Sequence, residues 1–256
     1  MSNPKKNIIL LHVPKAGGTT LRQIFLEQYD GSTSCDEIYI INRTREAKYF
    51  KDIDPKIRAK YRLLLGHLPF GIHEYLSGEY QYVSMVRNPI DRAVSDYAYS
   101  KSFKKHEAYS MIHDQKMNLV EYVSDYASSW HSNGQTKLFA GAQYLHQECT
   151  TETFNRAIEN IERYFLFVGI LEKFDLSLTL LKNRLSLSQP YYKKKNKTLV
   201  RYKVSDKEKA IISELNQYDL KLCTYCEEKF LSVGNKERLA TNVFSTLNGI
   251  RNALRH

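Results

Sequence analysis

The chain has 256 residues, of which 42% are hydrophobic and 26% are charged, a composition typical of a folded globular protein and not of a disordered one. A chain of this length fits one α/β domain. Its longest apolar runs are far too short to cross a bilayer, and the first six residues do not form a signal peptide. We therefore expect a cytoplasmic protein without a transmembrane segment.

The formal net charge of +10 favours an anionic partner. The candidates are nucleic acid, a membrane surface, a phosphorylated nucleotide and an acidic glycan. No zinc finger and no basic-aromatic RNA-binding pattern accompanies the charge, so we expect no nucleic-acid partner. Cys223 and Cys226 form a C-x-x-C pair inside a helical pattern, without two further ligands at matching spacing, so the sequence predicts no metal site.

The first hundred residues alternate between strand and helix patterns. Continuous apolar runs predict strands that are buried on both faces. Such strands are predicted over Asn7–Val13, Tyr61–Leu65 and Tyr80–Val86. Helices are predicted over Thr19–Tyr29 and from Asn88 to about Ser100, because Asn88 can cap the second helix and Pro89 suits its first turn.

Strand patterns disappear between residues 101 and 160, and this segment is interpreted as a helical insertion on the acceptor side. The helices predicted inside it are Asn118–Ala127 and Gly134–Gly141. The elements predicted after it are a strand over Tyr164–Gly169, helices over Lys173–Leu185 and Leu215–Phe230, a capping box at Ser205–Glu208 that begins a helix, and a last helix over 236–255. Residues 1–256 are thus predicted to form one α/β domain with a central parallel sheet flanked by helices.

The last predicted helix carries apolar residues on one stripe. They are Leu239, Val243, Phe244, Leu247 and Ile250. A stripe of this kind is normally covered by another surface. Packing against the core of the same chain and packing against a second copy both stay open, so a homodimer is one expected state.

The segment that joins the first strand to the first helix contains the components of a phosphate cradle. Gly17 and Gly18 allow the backbone to approach a ligand closely, while Thr19 and Thr20 begin a helix whose free N–H groups and dipole attract an anion. Lys15 adds an ammonium group. This lysine precedes both glycines, whereas in the Walker pattern it follows them, so the loop is P-loop-like without being a Walker sequence.

A second candidate for anion binding follows the strand Tyr80–Val86. Arg87 lies at the carboxyl end of this strand, where open α/β sheets bind ligands, and its planar guanidinium suits a phosphate. Ser95 lies two turns into the next helix and can offer a hydroxyl to the same group. Arg92 is interpreted either as a surface residue or as part of the site.

Together the two motifs resemble those of the sulfotransferases that use PAPS (3′-phosphoadenosine 5′-phosphosulfate), in the version of the glycan and carbohydrate enzymes, such as heparan sulfate 2-O-sulfotransferase-like and bacterial members. The run PKAGGTTL is similar to their 5′-phosphosulfate loop, and RNPIDRAVSDY is similar to their 3′-phosphate segment. The resemblance implies PAPS as donor, PAP (3′-phosphoadenosine 5′-phosphate) as product, and no metal. The nucleotide-binding residues that it implies are Lys15, Ala16, Gly17, Gly18, Thr19, Thr20, Arg87 and Ser95.

A third basic segment, Lys193–Thr198, stands where family members place a loop that closes over the nucleotide. The resemblance therefore adds Lys195 and Lys197 to the nucleotide-binding residues. A run of charged residues is also typical of a solvated loop, and this alternative stays open.

His67 is the candidate catalytic base. The segment Gly66–Phe70 resembles the G-H segment of glycan sulfotransferases, whose histidine takes the proton from the acceptor hydroxyl, and an unperturbed imidazole pKa near 6.5 suits this role. Lys15 is predicted to neutralise charge on the bridging oxygen and the sulfuryl group. His73 is the local alternative to His67, and His12 is interpreted as a structural residue within the first strand.

The segment Ser132–Gly141 resembles a bacterial N-x-Q-T-[RK] segment and is interpreted as part of the acceptor cleft, although Gln135 and Lys137 could instead face solvent. The predicted function is transfer of a sulfuryl group from PAPS to a hydroxyl of a glycan, another carbohydrate or a small metabolite. Two alternatives are kept: a P-loop nucleotide or sugar kinase, which would need magnesium, and a non-catalytic binder of anionic glycan on a nucleotide-binding fold.

Overall fold

Five parallel strands form one sheet at the centre of the molecule. The computed structural model describes residues 7–29, 35–127, 131–192, 202–232 and 235–254. The strands are β1 Ile8–Leu11, β2 Ile38–Ile41, β3 Leu63–Gly66, β4 Gln81–Val86 and β5 Phe165–Ile170, and their order in the sheet is β2-β3-β1-β4-β5. All four strand pairs are parallel. The predicted α/β class with a central parallel sheet is confirmed.

The burial of each strand explains which strands the sequence predicted. β1 and β3 are buried along their whole length, as their continuous apolar runs require. β2 was not predicted: it has four residues, lies at the edge of the sheet and is only partly buried. Gly66 ends β3 with φ of 142°. A Cβ on this residue would lie 1.9 Å from the backbone oxygen of Ile41, so the close pairing of β2 and β3 at this point requires glycine.

Helices cover both faces of the sheet and its ends. In the described residues they are α1 Gly18–Tyr29, α2 Pro55–Arg58, α3 Pro89–Ser102, α4 Tyr109–His113, α5 Leu119–Glu121, α6 Gly134–Ala140, α7 Thr151–Tyr164, α8 Phe174–Leu185, α9 Asp206–Leu215, α10 Gln217–Leu231 and α11 Asn235–Ala253. The predicted caps are confirmed, because the Asn88 side chain accepts from Ile90 N–H at 3.0 Å and Ser205 forms a capping box with Glu208.

One helix prediction needs correction. The continuous helix predicted over Asn118–Ala127 is a single α-helical turn, α5, followed by a π-helical turn over Tyr122–Tyr126. The wider turn brings the Tyr122 hydroxyl to Asp96, to which it donates a hydrogen bond of 2.9 Å. A wide turn of this kind is found mainly at functional sites, and periodicity alone does not reveal it.

Two hydrophobic clusters hold the molecule together. The larger one surrounds the sheet and includes Leu138, Phe139 and Ile161 from α6 and α7. The smaller one joins the outer face of α3 to α4, α5 and α9 through side chains such as Tyr97 and Ile212. The segment 101–160 is therefore divided: its first part packs in the smaller cluster, and its second part packs against the sheet.

The strand order places a ligand crevice between β1 and β4. From β1 the chain continues to β2 and β3 on one side of the sheet, and from β4 it continues to β5 on the other side. Adjacent strands whose connections diverge in this way leave an opening at their carboxyl ends, which is where open α/β sheets bind ligands. The predicted phosphate loop follows β1, and Arg87 follows β4, so both lie at this opening.

Candidate active site

The loop between β1 and α1 is held in a tight, left-handed conformation. Lys15 has φ of 64° and Gly17 has φ of 79°. A Cβ on Gly17 would lie 2.6 Å from the side chain of Leu171, so the loop packs closely against the end of β5. α1 begins at Gly18, and the Thr20 N–H already donates to the Gly17 oxygen at 3.1 Å, so the N–H groups of Gly18 and Thr19 are the first-turn donors that could bind an anion.

Lys15 is placed by an aromatic ring and a carboxylate on α3. Its Nζ lies 4.0 Å from the centre of the Tyr99 ring. Burial lowers the pKa of Lys15, while the charge of Asp96 opposes this effect. Burial by itself would raise the pKa of Asp96, but hydrogen bonds from His131 and Tyr122 and the charge of Lys15 bring this pKa to about 2. Asp96 therefore stays ionised close to the lysine.

Arg87 connects the two predicted anion-binding motifs. Its Nη1 donates a hydrogen bond of 3.0 Å to the backbone oxygen of Lys15. Its Nε lies 4.0 Å from Glu172, whose carboxylate also accepts from Asn88 N–H at 3.0 Å. The Arg87 side chain is about three-quarters buried, so part of it stays accessible to a ligand.

Gln135 fixes the backbone of Arg87 from the other side. Its amide donates to the Arg87 oxygen at 2.8 Å and accepts from the Arg87 N–H at 3.0 Å. Gln135 and Lys137 are both buried, so the alternative that they face solvent is wrong, because α6 packs against α7 and α10. Gln135 therefore supports the arginine and does not line an acceptor cleft.

A buried carboxylate on α10 anchors this arrangement. Asp219 accepts from the N–H groups of Gln135 and Thr136, at 3.1 and 2.7 Å, and its carboxylate lies 3.7 Å from Arg92 Nη2. Arg92 is 1% exposed, which excludes the surface interpretation and makes it part of the support for the site. Asp219 was not predicted as a functional residue, and Gln135 was predicted only as part of an acceptor cleft, since their partners are 83 and 48 residues away in sequence.

The other residues that were predicted to bind the nucleotide differ in their exposure to solvent. Ala16 is fully buried and its N–H donates to the Val13 oxygen at 3.2 Å, while Thr19 is exposed and Thr20 is half-buried at the beginning of α1. Ser95 lies one turn before Tyr99 on the same face of α3, on the side of the Lys15 loop. Lys195 and Lys197, with the rest of Lys193–Thr198, lie outside the described residues.

His67 lies at the end of β3 and stacks on a second histidine. The rings of His67 and His12 are 4.2 Å apart, with an angle of 23° between their planes. His12 follows β1 and is not within it, which corrects its assignment to the strand. A Cβ on Gly18 would lie 1.8 Å from the His12 ring, so this glycine makes room for the imidazole.

Both stacked histidines are neutral at pH 7. Burial lowers the pKa of His67, and the interaction with the His12 backbone opposes this only in part. Burial, the charge of His67 and the charge of Arg22 together bring the pKa of His12 to about 3. His73 has another role: its Nδ1 is hydrogen-bonded to the Tyr82 hydroxyl at 2.9 Å, and its ring packs on Tyr164. His67 is thus an unprotonated imidazole at the carboxyl end of β3, on the same edge of the sheet as the loop that contains Lys15.

A groove with a volume of about 520 Å³ is lined in part by the segment that follows His67, although His67 itself is not one of its lining residues. Pro69 and Thr44 belong to its wall; Pro69 is two residues from His67, and Thr44 is three residues from Ile41, whose oxygen accepts from His67 N–H at 3.0 Å. Its lining includes the charged residues Arg45, Lys48, Lys51 and Glu74, the aromatic residues Phe70 and Tyr75, and His146. The groove therefore combines basic side chains with aromatic residues and aliphatic residues such as Ile72 and Leu145.

The described part of the chain contains neither a cluster of metal ligands nor a membrane-spanning helix. Within these residues, no group of three or more His, Cys, Asp or Glu side chains is arranged to hold a metal ion. No helix in the same ranges is both long and apolar enough to cross a membrane. Cys226 is buried and Cys223 is partly buried, and the Cys223 thiol donates to the Arg87 oxygen at 3.2 Å, so this pair belongs to the packing around the arginine.

The fold and the site define an α/β protein with a parallel sheet. A glycine-containing loop follows β1, and Arg87 follows the neighbouring strand β4. The Sulfotransferase family model matches residues 1–226, so the chain belongs to the sulfotransferase family; α11 lies outside the matched range. Among solved structures, mouse sulfotransferase SULT7A1 complexed with PAP is 16% identical with a TM-score of 0.37, over 83% of this chain and 64% of the mouse chain. This chain thus spans less than two thirds of that protein's length. Comparison with curated proteins finds no match.

Proposed function

We propose that the protein transfers a sulfuryl group from PAPS to a hydroxyl group of a carbohydrate acceptor. The observation that carries the proposal is the hydrogen bond of 3.0 Å between Arg87 Nη1 and the backbone oxygen of Lys15. It joins the segment that resembles a 5′-phosphosulfate loop to the segment that resembles a 3′-phosphate site. A nucleotide with phosphates at both ends is the ligand that would use both segments at once.

The donor contacts follow from the chemistry of each segment. The helix N-terminus at Gly18–Thr20 binds the 5′-phosphate through the backbone N–H groups of Gly18 and Thr19 and through the threonine hydroxyls. Arg87 and Ser95 bind the 3′-phosphate, for which a guanidinium offers paired N–H donors. The Arg87 side chain, which is 24% exposed, and the loop before α1 fit these groups, since both follow strands at the opening between β1 and β4. Lys195 and Lys197 stay predicted contacts of the same nucleotide.

The chemical step divides between His67 and Lys15. His67 is neutral at pH 7, so it can accept the proton of the acceptor hydroxyl as the oxygen attacks sulfur. Lys15 neutralises the negative charge that builds on the bridging oxygen when the bond to sulfur breaks. The sulfuryl group ends on the acceptor oxygen, the proton ends on His67, and PAP leaves. Asp96 and the Tyr99 ring hold the ammonium of Lys15 in place for this role.

The groove beside His67 favours an acceptor sugar that carries an acidic group. Arg45, Lys48 and Lys51 offer positive charge, and the lining contains one acidic residue, Glu74. Tyr75 is 44% exposed and offers a flat surface on which a sugar ring can stack. A cytoplasmic location and a single domain over residues 1–256 stay predictions from the sequence.

A thermal-shift comparison of three nucleotides tests the donor assignment. We expect PAP to raise the melting temperature much more than AMP, because binding at about 100 times Kd adds about 2.7 kcal/mol to the free energy of unfolding. A larger shift with ATP and magnesium would support the kinase alternative instead. No shift with any of them would support a non-catalytic glycan binder. Labelled PAPS with a panel of acidic and neutral sugars then identifies the acceptor.

A further inference from the structure

The helix α11 is fixed to the molecule by one face. Phe244 and Asn248 are buried there, and the Asn248 side chain accepts from Tyr192 N–H at 3.0 Å. The Asn252 amide donates to the Tyr192 oxygen at 3.0 Å, and the Ser245 hydroxyl donates to Asp175 on α8 at 2.6 Å. These contacts set the rotation of α11 about its axis and so decide which side chains face outward.

The outward face carries an apolar stripe. Its members and their exposed fractions are Leu239 66%, Val243 52%, Leu247 44%, Ile250 52% and Leu254 81%. Phe244, which the sequence placed on the same stripe, is instead buried with 5% exposure. The five exposed residues are spaced by four, four, three and four positions, which is the spacing of a seam between two packed helices.

This spacing is nearly unchanged when the helix is reversed. If two copies of α11 lie antiparallel with Leu247 at the centre, Val243 meets Ile250 and Leu239 meets Leu254 on both sides. A surface that is complementary to its own copy is what a two-fold symmetric dimer requires. We propose that α11 pairs with α11 of a second copy through this stripe and makes the protein a homodimer.

The area of the stripe fits a dimer of moderate affinity. Five apolar side chains that are about half to four-fifths exposed offer roughly 100 Å² each, so a pair of helices would bury about 1,000 Å² in total, the lower limit for a stable interface. The expected Kd therefore lies in the micromolar range. The neighbouring positions add small side chains that do not obstruct close approach, such as Ala240 and Ala253.

The charges near the stripe favour a second copy over other occupants. Arg251 is the only charged residue between positions 239 and 254, and its guanidinium lies 4.2 Å from the centre of the Tyr191 ring. An antiparallel pair thus brings no like charges together over this length. A helix that binds an anionic lipid surface normally carries basic residues all along its polar side, which α11 lacks.

Sedimentation at several concentrations tests the proposal with the whole chain. The wild-type mass should rise from 29.9 kDa towards twice that value as the concentration approaches about 100 µM. Leu247→Glu places two carboxylates at the centre of the pair and should weaken association at least tenfold. Ile57→Glu is the matched control, since Ile57 is a similarly exposed apolar residue, 46%, on the distant α2, and this variant should associate like wild type.

Disulfide cross-linking tests whether two copies meet at Leu247, and it does so with a variant that does not introduce charge into the stripe. Leu247→Cys should form a disulfide between two copies under mild oxidation, whereas wild type and Asn242→Cys, on another side of the same helix, should not. A wild type that stays at 29.9 kDa, or equal association of wild type and Leu247→Glu, overturns the proposal. Binding of monomeric wild type to phosphatidylglycerol vesicles, lost in Leu247→Glu, overturns it in favour of a lipid surface. None of these readouts depends on sulfuryl transfer.

Discussion

The two sides of the candidate active site are built differently. On the donor side, Lys15, Arg87 and His67 each have a neighbour that fixes them: the Tyr99 ring, the Gln135 amide and the His12 ring. On the acceptor side, Arg45, Lys48 and Lys51 are exposed and come from consecutive 3-10 turns over Thr44–Asp52. Tyr75 is 44% exposed there, whereas Gln135 is fully buried.

This difference indicates which part of the reaction each side controls. Groups that are already in place need no reorganisation when charge develops, so the donor side can stabilise the transition state. Exposed side chains on turns can change without disturbing the core, so the groove can determine which acceptor binds. Substitutions on the donor side should therefore have larger effects than substitutions in the groove, and the following predictions test this order.

The largest effect is expected for His67→Ala. Removing the base should reduce kcat by a factor of 10²–10⁴, while the thermal shift caused by PAP stays as in wild type. His113→Ala is the control, because His113 is an exposed histidine on α4 and should leave turnover unchanged. Normal turnover in His67→Ala would exclude His67 as the base.

Arg87→Ala should weaken PAP binding by roughly 10- to 100-fold, since hydrogen bonds to charged groups contribute about 1.5–3 kcal/mol each. AMP, which lacks the 3′-phosphate, should bind nearly as well as it does to wild type. Titration calorimetry with both nucleotides measures the difference, and Arg156→Ala, in an exposed ion pair on α7, is the control. An equal loss for PAP and AMP would mean that Arg87 does not bind the 3′-phosphate.

The pH dependence of kcat/KM should show one ionisation on the acid side. His67 must be unprotonated to act, and burial puts its pKa below the ordinary value of 6.5. The rate should therefore stay constant from neutral pH to below pH 6.5 and then fall about tenfold per pH unit as His67 becomes protonated. A fall that begins above pH 6.5 would contradict the buried, neutral imidazole.

Gln135→Leu tests whether the support of Arg87 contributes to donor binding. The variant loses both hydrogen bonds to the Arg87 backbone, and two lost bonds of about 0.5–1.5 kcal/mol each should lower thermal stability. PAP binding should weaken by several-fold and AMP binding much less. Thr224→Val, on the exposed side of α10, is the control for stability alone. A loss of stability with unchanged PAP affinity would limit Gln135 to a packing role.

The smallest effects are expected in the groove. Lys48→Ala and Lys51→Ala should each raise KM for an acidic sugar only a few-fold, because an exposed charge contributes about 0–1 kcal/mol. The effect should decrease with added salt and be absent for a neutral acceptor. Lys101→Ala, an exposed lysine outside the groove, is the control. A loss as large as that of His67→Ala would reverse the order of the two sides.

The sequence by itself determined the local features of this protein. Four of the five strands, the caps at Asn88 and Ser205, and the loop around Gly17 and Gly18 were all predicted, because each depends on neighbouring residues only. The same holds for the positions of Lys15, Arg87 and His67 at strand ends, since the carboxyl ends of parallel strands lie at one edge of a sheet.

Only the tertiary structure decided what surrounds these residues. The Gln135 clamp on Arg87, the Tyr99 ring against Lys15 and the stacking of His12 on His67 join segments separated by 48, 84 and 55 positions, and no periodicity reveals such pairs. The outward stripe of α11 depends in the same way on contacts with Asp175 and Tyr192. A pattern in one segment predicts which face of a helix is apolar, but its neighbours in space decide whether that face is covered.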